Sequence, residues 1–143
     1  MTSKVKKSAI GWIKQNHDEI IELSDELWNC PELGLLEFKS AKLMIDELKK
    51  HRFRITKGVG GMPTAFVADY GTGKPIIGVM GEYDALPGLS QKVSTDKDPL
   101  EAGAPGQGCG HNIHGASGLA GAVAIRYAME EHGLVGTVRF FGT

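Results

Sequence analysis

Apolar residues recur with a helical period along the first fifty positions and then condense into short runs. Between residues 8 and 29, Ile10, Ile13, Ile20, Leu23, Leu27 and Trp28 fall on one stripe with acids and amides between them, the pattern of an amphipathic helix. Gly11 and the Asn16-His17 pair are the places where this helix would split in two. Pro31 closes it, because the residue before a proline is steered out of the α region. A short ordered loop over 30–37 leads to a second helix from about Glu37 to His51. Its apolar side is Phe38, Ala41, Leu43, Met44, Ile45 and Leu48. Lys49, Lys50, His51 and Arg52 crowd its last turn, where cations favour the helix dipole, so no ligand is needed to explain them.

Three candidate strands follow, over 53–57, 64–69 and 75–80. Gly58-Val59-Gly60-Gly61 separates the first two and Tyr70-Gly71-Thr72-Gly73-Lys74 the last two, and both separators carry hairpin chemistry. Gly71-Thr72-Gly73-Lys74 lacks the phosphate-loop spacing and a following helix. The run Ile76–Met80 is apolar on both faces, which predicts an inner strand covered by helices. Residues 88–108 show no clear element. An irregular stretch of that length inside a compact domain tends to be functional. A third helix is expected over 116–131, with small or apolar residues through its first three turns and Gly133 as its C-terminal stop. Thr137-Val138-Arg139-Phe140-Phe141 reads as one more strand, expected to leave a sheet edge that invites self-association.

Composition narrows the function classes. The chain has 143 residues and a formal net charge of −1, with no basic face, so nucleic acid is not an expected partner. No apolar run approaches the ~20 residues that span a bilayer, and no apolar signal core follows Lys4, Lys6 and Lys7. Two cysteines, Cys30 and Cys109, do not make a disulfide framework. A reducing, cytoplasmic setting is expected, with Cys30 as a core filler and His17, His51 and His132 as surface groups. Glycine, at 20 residues, is the compositional outlier, and glycine lets a backbone turn sharply or approach a ligand closely.

The glycines concentrate around Gly106-Gln107-Gly108-Cys109-Gly110-His111-Asn112-Ile113-His114-Gly115. Cys109 and His111 are two apart across a glycine, and thiolate and imidazole are the usual ligands of zinc-like ions. The bland alternative is a buried thiol beside a helix-capping histidine. A third reading takes Cys109, His111 and Asn112 as a Cys–His–Asn set. Such sets draw their members from separate elements, which speaks against it. His114 is a further ligand or a neighbour of the helix start. Glu82 and Asp84 lie just past the C-terminal end of a buried strand, where open α/β sheets bind ligands. They are ligands, acids orienting the ligand histidine, or caps of the turn before Pro87.

Three stretches together, Trp28-Asn29-Cys30-Pro31-Glu32-Leu33-Gly34, Gly81-Glu82-Tyr83-Asp84-Ala85-Leu86-Pro87 and Gly108-Cys109-Gly110-His111-Asn112, resemble the amidohydrolase branch of the dinuclear-metal aminoacylase and carboxypeptidase superfamily. The Glu-Tyr-Asp-Ala-Leu-Pro and Cys-Gly-His-Asn forms are most similar to its p-aminobenzoyl-glutamate hydrolase type. The resemblance implies an α/β fold: residues 1–143 would be the N-terminal part of an exopeptidase-like catalytic domain, helices on a mixed sheet, without the inserted dimerisation domain. It implies two divalent ions, Zn or Mn, that activate a water against the amide of an N-acyl or N-aroyl amino acid. Cys109 matches the family's metal-bridging Cys, His111 its ligand His, and Asp84 an acidic position with an orienting role.

The family's acidic pair, which includes its general-base glutamate, would follow a strand like 138–141. No glutamate occurs after Glu131. The resemblance therefore leads one to expect a truncated amidohydrolase whose 143 residues bind metal weakly and hydrolyse nothing, within a homo-oligomer or beside a second subunit. The alternatives are a non-catalytic interaction or folding module, and a Cys hydrolase.

Overall fold

The computed structural model describes residues 3–143. The elements run α1 (Lys4–Gln15), α2 (His17–Trp28), α3 (Phe38–Lys50), β1 (Arg54–Lys57), β2 (Phe66–Thr72), β3 (Ile76–Gly81), α4 (His111–His132) and β4 (Gly136–Gly142), with one 3₁₀ turn at Val59–Gly61. The first amphipathic stripe does divide, and it does so at Asn16 rather than Gly11. The Asn16 side chain donates back to the Trp12 carbonyl at 2.7 Å, so it closes α1 while its own backbone precedes α2.

The sheet order is β1-β2-β4-β3. β1 and β2 form the expected antiparallel hairpin. The second expected hairpin does not exist, because β4 inserts between β2 and β3, antiparallel to the first and parallel to the second. The glycine-rich separator instead ends against β4: the Thr137 hydroxyl donates to the Gly73 carbonyl at 2.9 Å and the Thr137 amide to Pro75. Two expectations are corrected with it. Ile76–Gly81 is an edge strand rather than an inner one, with Ile76 and Ile77 each 51% and Met80 54% exposed. The last strand is interior, not an edge, with Val138 and Phe140 fully buried.

Helices α3 and α4 cover one face of the sheet, and α1 and α2 pack outside α4. Phe66, Ala68, Val138 and Phe140 meet Leu27, Met44, Leu48, Leu119 and Val123 in one core. Phe66 meets Phe140 in a tilted pair at 5.9 Å between ring centroids and stacks on Tyr83 at 6.1 Å, contacts of the kind that add to area burial. On the other face Arg139 pairs with Asp69 through two hydrogen bonds of 2.7 and 2.9 Å.

The third expected helix begins five residues early, at His111. Gly110, in the left-handed region at φ 85°, makes the entry turn, which glycine takes without steric penalty. Two of the helix's own glycines set how close it lies to β3. A Cβ on Gly115 would stand 2.7 Å from the Glu82 carbonyl oxygen, and one on Gly118 2.7 Å from that of Met80. Only hydrogen fits there, so the start of α4 rests on the backbone at the C-terminal end of β3. That contact brings the glycine-rich motif to the Glu-Tyr-Asp turn.

Candidate metal-binding site

Past Gly81 the chain leaves the sheet as Glu82-Tyr83-Asp84, and three sets of bonds fix its path. The Tyr83 amide donates to Thr143 and the Thr143 amide to Gly81. The Ala85 amide donates to Glu32 at 2.7 Å, beside the Leu33–Ala85 bridge. Leu86 and Gly106 exchange both backbone bonds at 3.1 Å, closing residues 87–105 into a loop. That loop has no helix or strand, as the sequence pattern predicts.

Tyr83 faces inward and is fully buried, and its hydroxyl donates to the Thr64 carbonyl at 2.7 Å. Burial, with the Glu37 and Asp84 charges adding to it, pushes its phenol well above the usual tyrosine range, so it stays a neutral donor. Asp84, next in sequence, points the other way. Its Oδ1 lies 2.6 Å from His111 Nδ1. The side chains are 23% and 19% exposed, so the pair is shielded but open on one side. A carboxylate at that nitrogen holds the ring's orientation and favours a hydrogen on Nδ1.

Glu82 stands on the outer side. Its Oε2 is 3.3 Å from His111 Nε2 and 3.4 Å from His114 Nδ1. The two histidines lie three apart in the first turn of α4, so they share a face. His114 is thus inside the helix and beside the acid, not the residue that opens the helix. Cys109 is solvent-exposed in the turn before Gly110, which removes the reading of a buried core thiol. Asn112 turns from the imidazole toward α2, donating to the Ser24 hydroxyl at 3.0 Å and carbonyl at 3.3 Å. It therefore orients no Cys–His pair. Cys30 is half-buried rather than a core filler. His51, half-buried, contacts Glu47 at 3.1 Å and the edge of Trp12, and His132 contacts the Ser8 hydroxyl at 2.8 Å.

The donor types suit a zinc-like ion, since Cys109 supplies a thiol and His111 an oriented imidazole. Among the described residues, however, no group of three or more His, Cys, Asp or Glu side chains is arranged to hold a metal ion. Two donors do not complete even one four-coordinate centre.

Three supporting groups escape a reading by residue type. Glu37 is a buried carboxylate that accepts from the Thr64 hydroxyl at 2.6 Å and the Leu35 amide at 2.8 Å. Glu32 accepts from the Lys39 and Ser40 amides and closes the start of α3 from the loop before it. Gln107, 3% exposed, bridges the two functional stretches. Only Gln107 gave a signal, as the one long polar side chain in the glycine run.

No family model matches the chain. It is 40% identical over 131 residues to a subunit of the p-aminobenzoyl-glutamate hydrolase of Escherichia coli strain K12, covering 91% of this chain and 27% of that protein. It is 30% identical over 115 residues to thermostable carboxypeptidase 2 of Saccharolobus solfataricus, covering 79% and 28%. Among solved structures, the Bacillus subtilis YXEP protein, a dinuclear metal-binding peptidase of the M20 family, superposes with a TM-score of 0.71 at 26% identity, covering 90% of this chain and 35% of that one. The chain therefore spans about a quarter of the length of the curated relatives it matches.

Proposed function

We propose, from the premise that this chain is a partial domain of the dinuclear-metal aminoacylase and carboxypeptidase superfamily, that it carries the first donors of a metallo-amidohydrolase centre. The whole protein would cleave the amide of an N-acyl or N-aroyl amino acid, of the p-aminobenzoyl-glutamate kind. Cys109 and His111 would hold the divalent ions, Zn or Mn, with Asp84 orienting His111. Bound ions of this kind supply a water activated for attack and polarise the carbonyl. The chain's own contribution is placement. Asp84 keeps the hydrogen of His111 on Nδ1, α4 holds the ring at the end of the sheet, and Gly110 lets the thiol and the ring follow each other through one turn.

The observation that carries this reading is the 2.6 Å contact of Asp84 Oδ1 with His111 Nδ1. It orients the imidazole from behind, and the opposite nitrogen lies 3.3 Å from Glu82 Oε2, so a cation at Nε2 would meet that carboxylate as well. A second subunit is the expected partner. A cytoplasmic setting fits the two unpaired cysteines.

The test is calorimetric titration of the purified chain with Zn²⁺ and with Mn²⁺. Weak, chelator-reversible binding is expected, and it should protect Cys109 from alkylation. Asp84→Asn should weaken it by on the order of tenfold or more, and His111→Ala should abolish it. The chain alone should not hydrolyse N-aroyl glutamates. Binding that survives loss of both Cys109 and His111 would overturn the assignment.

A further inference from the structure

The two stretches that form the site reach it from different directions. Glu82–Asp84 arrives from β3, and Cys109–His111 arrives from the loop and opens α4. Asp84 and His111 make their bond only if the two backbones keep a fixed separation. Besides the Leu86–Gly106 pair and the contacts of Glu82 with His111 and His114, the Gln107 side chain spans that gap and ties backbone to backbone. Gln107 Oε1 accepts from the Asn112 amide at 3.1 Å, and its Nε2 donates to the Tyr83 carbonyl over a long 3.5 Å.

The two ends of Gln107 act on particular peptides. The Asn112 amide belongs to the peptide that follows His111, and the Tyr83 carbonyl to the peptide that precedes Asp84. Gln107 is therefore anchored one bond from each partner of the histidine–carboxylate pair. Its amide has one possible orientation, because the reverse would set its NH₂ against an N–H and its oxygen against a carbonyl. It is buried, so both peptide groups would lose a partner where water does not replace it. Asn112, its acceptor-side neighbour, is tied in turn to Ser24 of α2. The helix start thus cannot follow the Glu-Tyr-Asp turn if that turn drifts.

We propose that Gln107 is a positioning residue, the strut that sets Asp84 against His111 so that the imidazole is held before any cation arrives. This rests on the metal-site reading for its functional meaning. The geometry it controls exists without metal. A mere cap of α4 needs only the oxygen of Gln107, whereas a strut needs both ends.

The experiment compares Gln107→Ala, Gln107→Glu and Val123→Ala with the unchanged chain. Long-range ¹⁵N–¹H spectra of the imidazoles are recorded without metal, and Zn²⁺ affinity is measured by calorimetry. Gln107→Glu keeps an acceptor for Asn112 but sets a carboxylate against the Tyr83 carbonyl. In both Gln107 variants the His111 ring signals should move toward those of Asp84→Asn, and affinity should fall by on the order of tenfold. Val123→Ala removes core volume far from the turn. It should lower stability and leave His111 where it was. Wild-type His111 signals in Gln107→Glu would reduce the role to helix capping and overturn the proposal, as would an equal shift in Val123→Ala. If Gln107→Ala does not fold, Gln107→Glu decides alone. An unchanged chain that binds no Zn²⁺ would remove the metal reading, yet the ring spectra would still show whether Gln107 holds the pair.

Discussion

β3 and β4 are parallel neighbours in one sheet and nearly equal in length, Ile-Ile-Gly-Val-Met-Gly against Gly-Thr-Val-Arg-Phe-Phe-Gly, and they have opposite fates. β4 lies between two strands, beneath α4, with Val138 and Phe140 fully buried. β3 has a partner on one side only, and three of its large apolar side chains are half exposed. The more apolar of the two is the less buried. Composition registers only what a strand is able to bury. Whether it does so depends on how many neighbours the topology gives it. The difference also serves the site, since the edge strand delivers Glu82 and Asp84 to an open end while the central strand fixes the sheet that carries them.

The largest break in this comparison should come from the core strand. Phe140→Ala removes a ring that touches Phe66 and fills the space under Gly81. It should cost about 3–5 kcal/mol in chemical denaturation, close to the whole stability of a small domain. A loss under ~1 kcal/mol would mean that β4 is not the keystone described.

A smaller effect should come from the helical layer. Glu47 in α3 is held down to about 2, chiefly by the hydrogen bond from His51; partial burial opposes this, and the hydrogen bond from Lys50 adds to it. Its folded value lies below the unfolded one, so its contribution is fully present above about 4.5 and is lost as pH falls from there toward 2. On this half-shielded surface the contribution should be on the order of 1 kcal/mol. Glu47→Gln should flatten the stability profile in that acid window and change nothing at neutral pH beyond that amount. An unchanged acid limb would sink the claim.

The smallest effect on stability belongs to the edge strand. Ile76→Lys should move the unfolding free energy by no more than about 0.5 kcal/mol, because the side chain is already half in water. It should instead act on assembly. β3 presents unpaired backbone and apolar side chains, the combination that recruits a further strand. Sedimentation should show concentration-dependent self-association of the unchanged chain and a shift toward monomer in Ile76→Lys. A monomer at all concentrations would show that this edge is already blunted.

The helices were legible because each writes its burial into a 3.6-residue period on its own segment, and α2 and α3 fall within a residue or two of where that period places them. The α4 boundary was not. Its first turn contains His, Asn and Gly, poor helix formers by propensity, and it is held by Gly110 behind it and by Gln107 reaching across from the preceding turn. Asp84 and His111 were both visible as candidate chemistry. Their contact was not, because 26 residues separate them in the chain, and only Gly115 and Gly118 let α4 settle onto β3 closely enough to join them.

The amino-acid sequence alone determined the local elements, the hairpin of β1 and β2, and the residue types gathered near Cys109. These depend on neighbours a few positions apart, and periodicity or turn chemistry reports them. The tertiary structure alone decided that β4 enters between β2 and β3, that the apolar β3 is left at an edge, and that Gln107 spans Tyr83 and Asn112. Each of these depends on which backbones meet across long stretches of chain, and no local pattern encodes such a meeting.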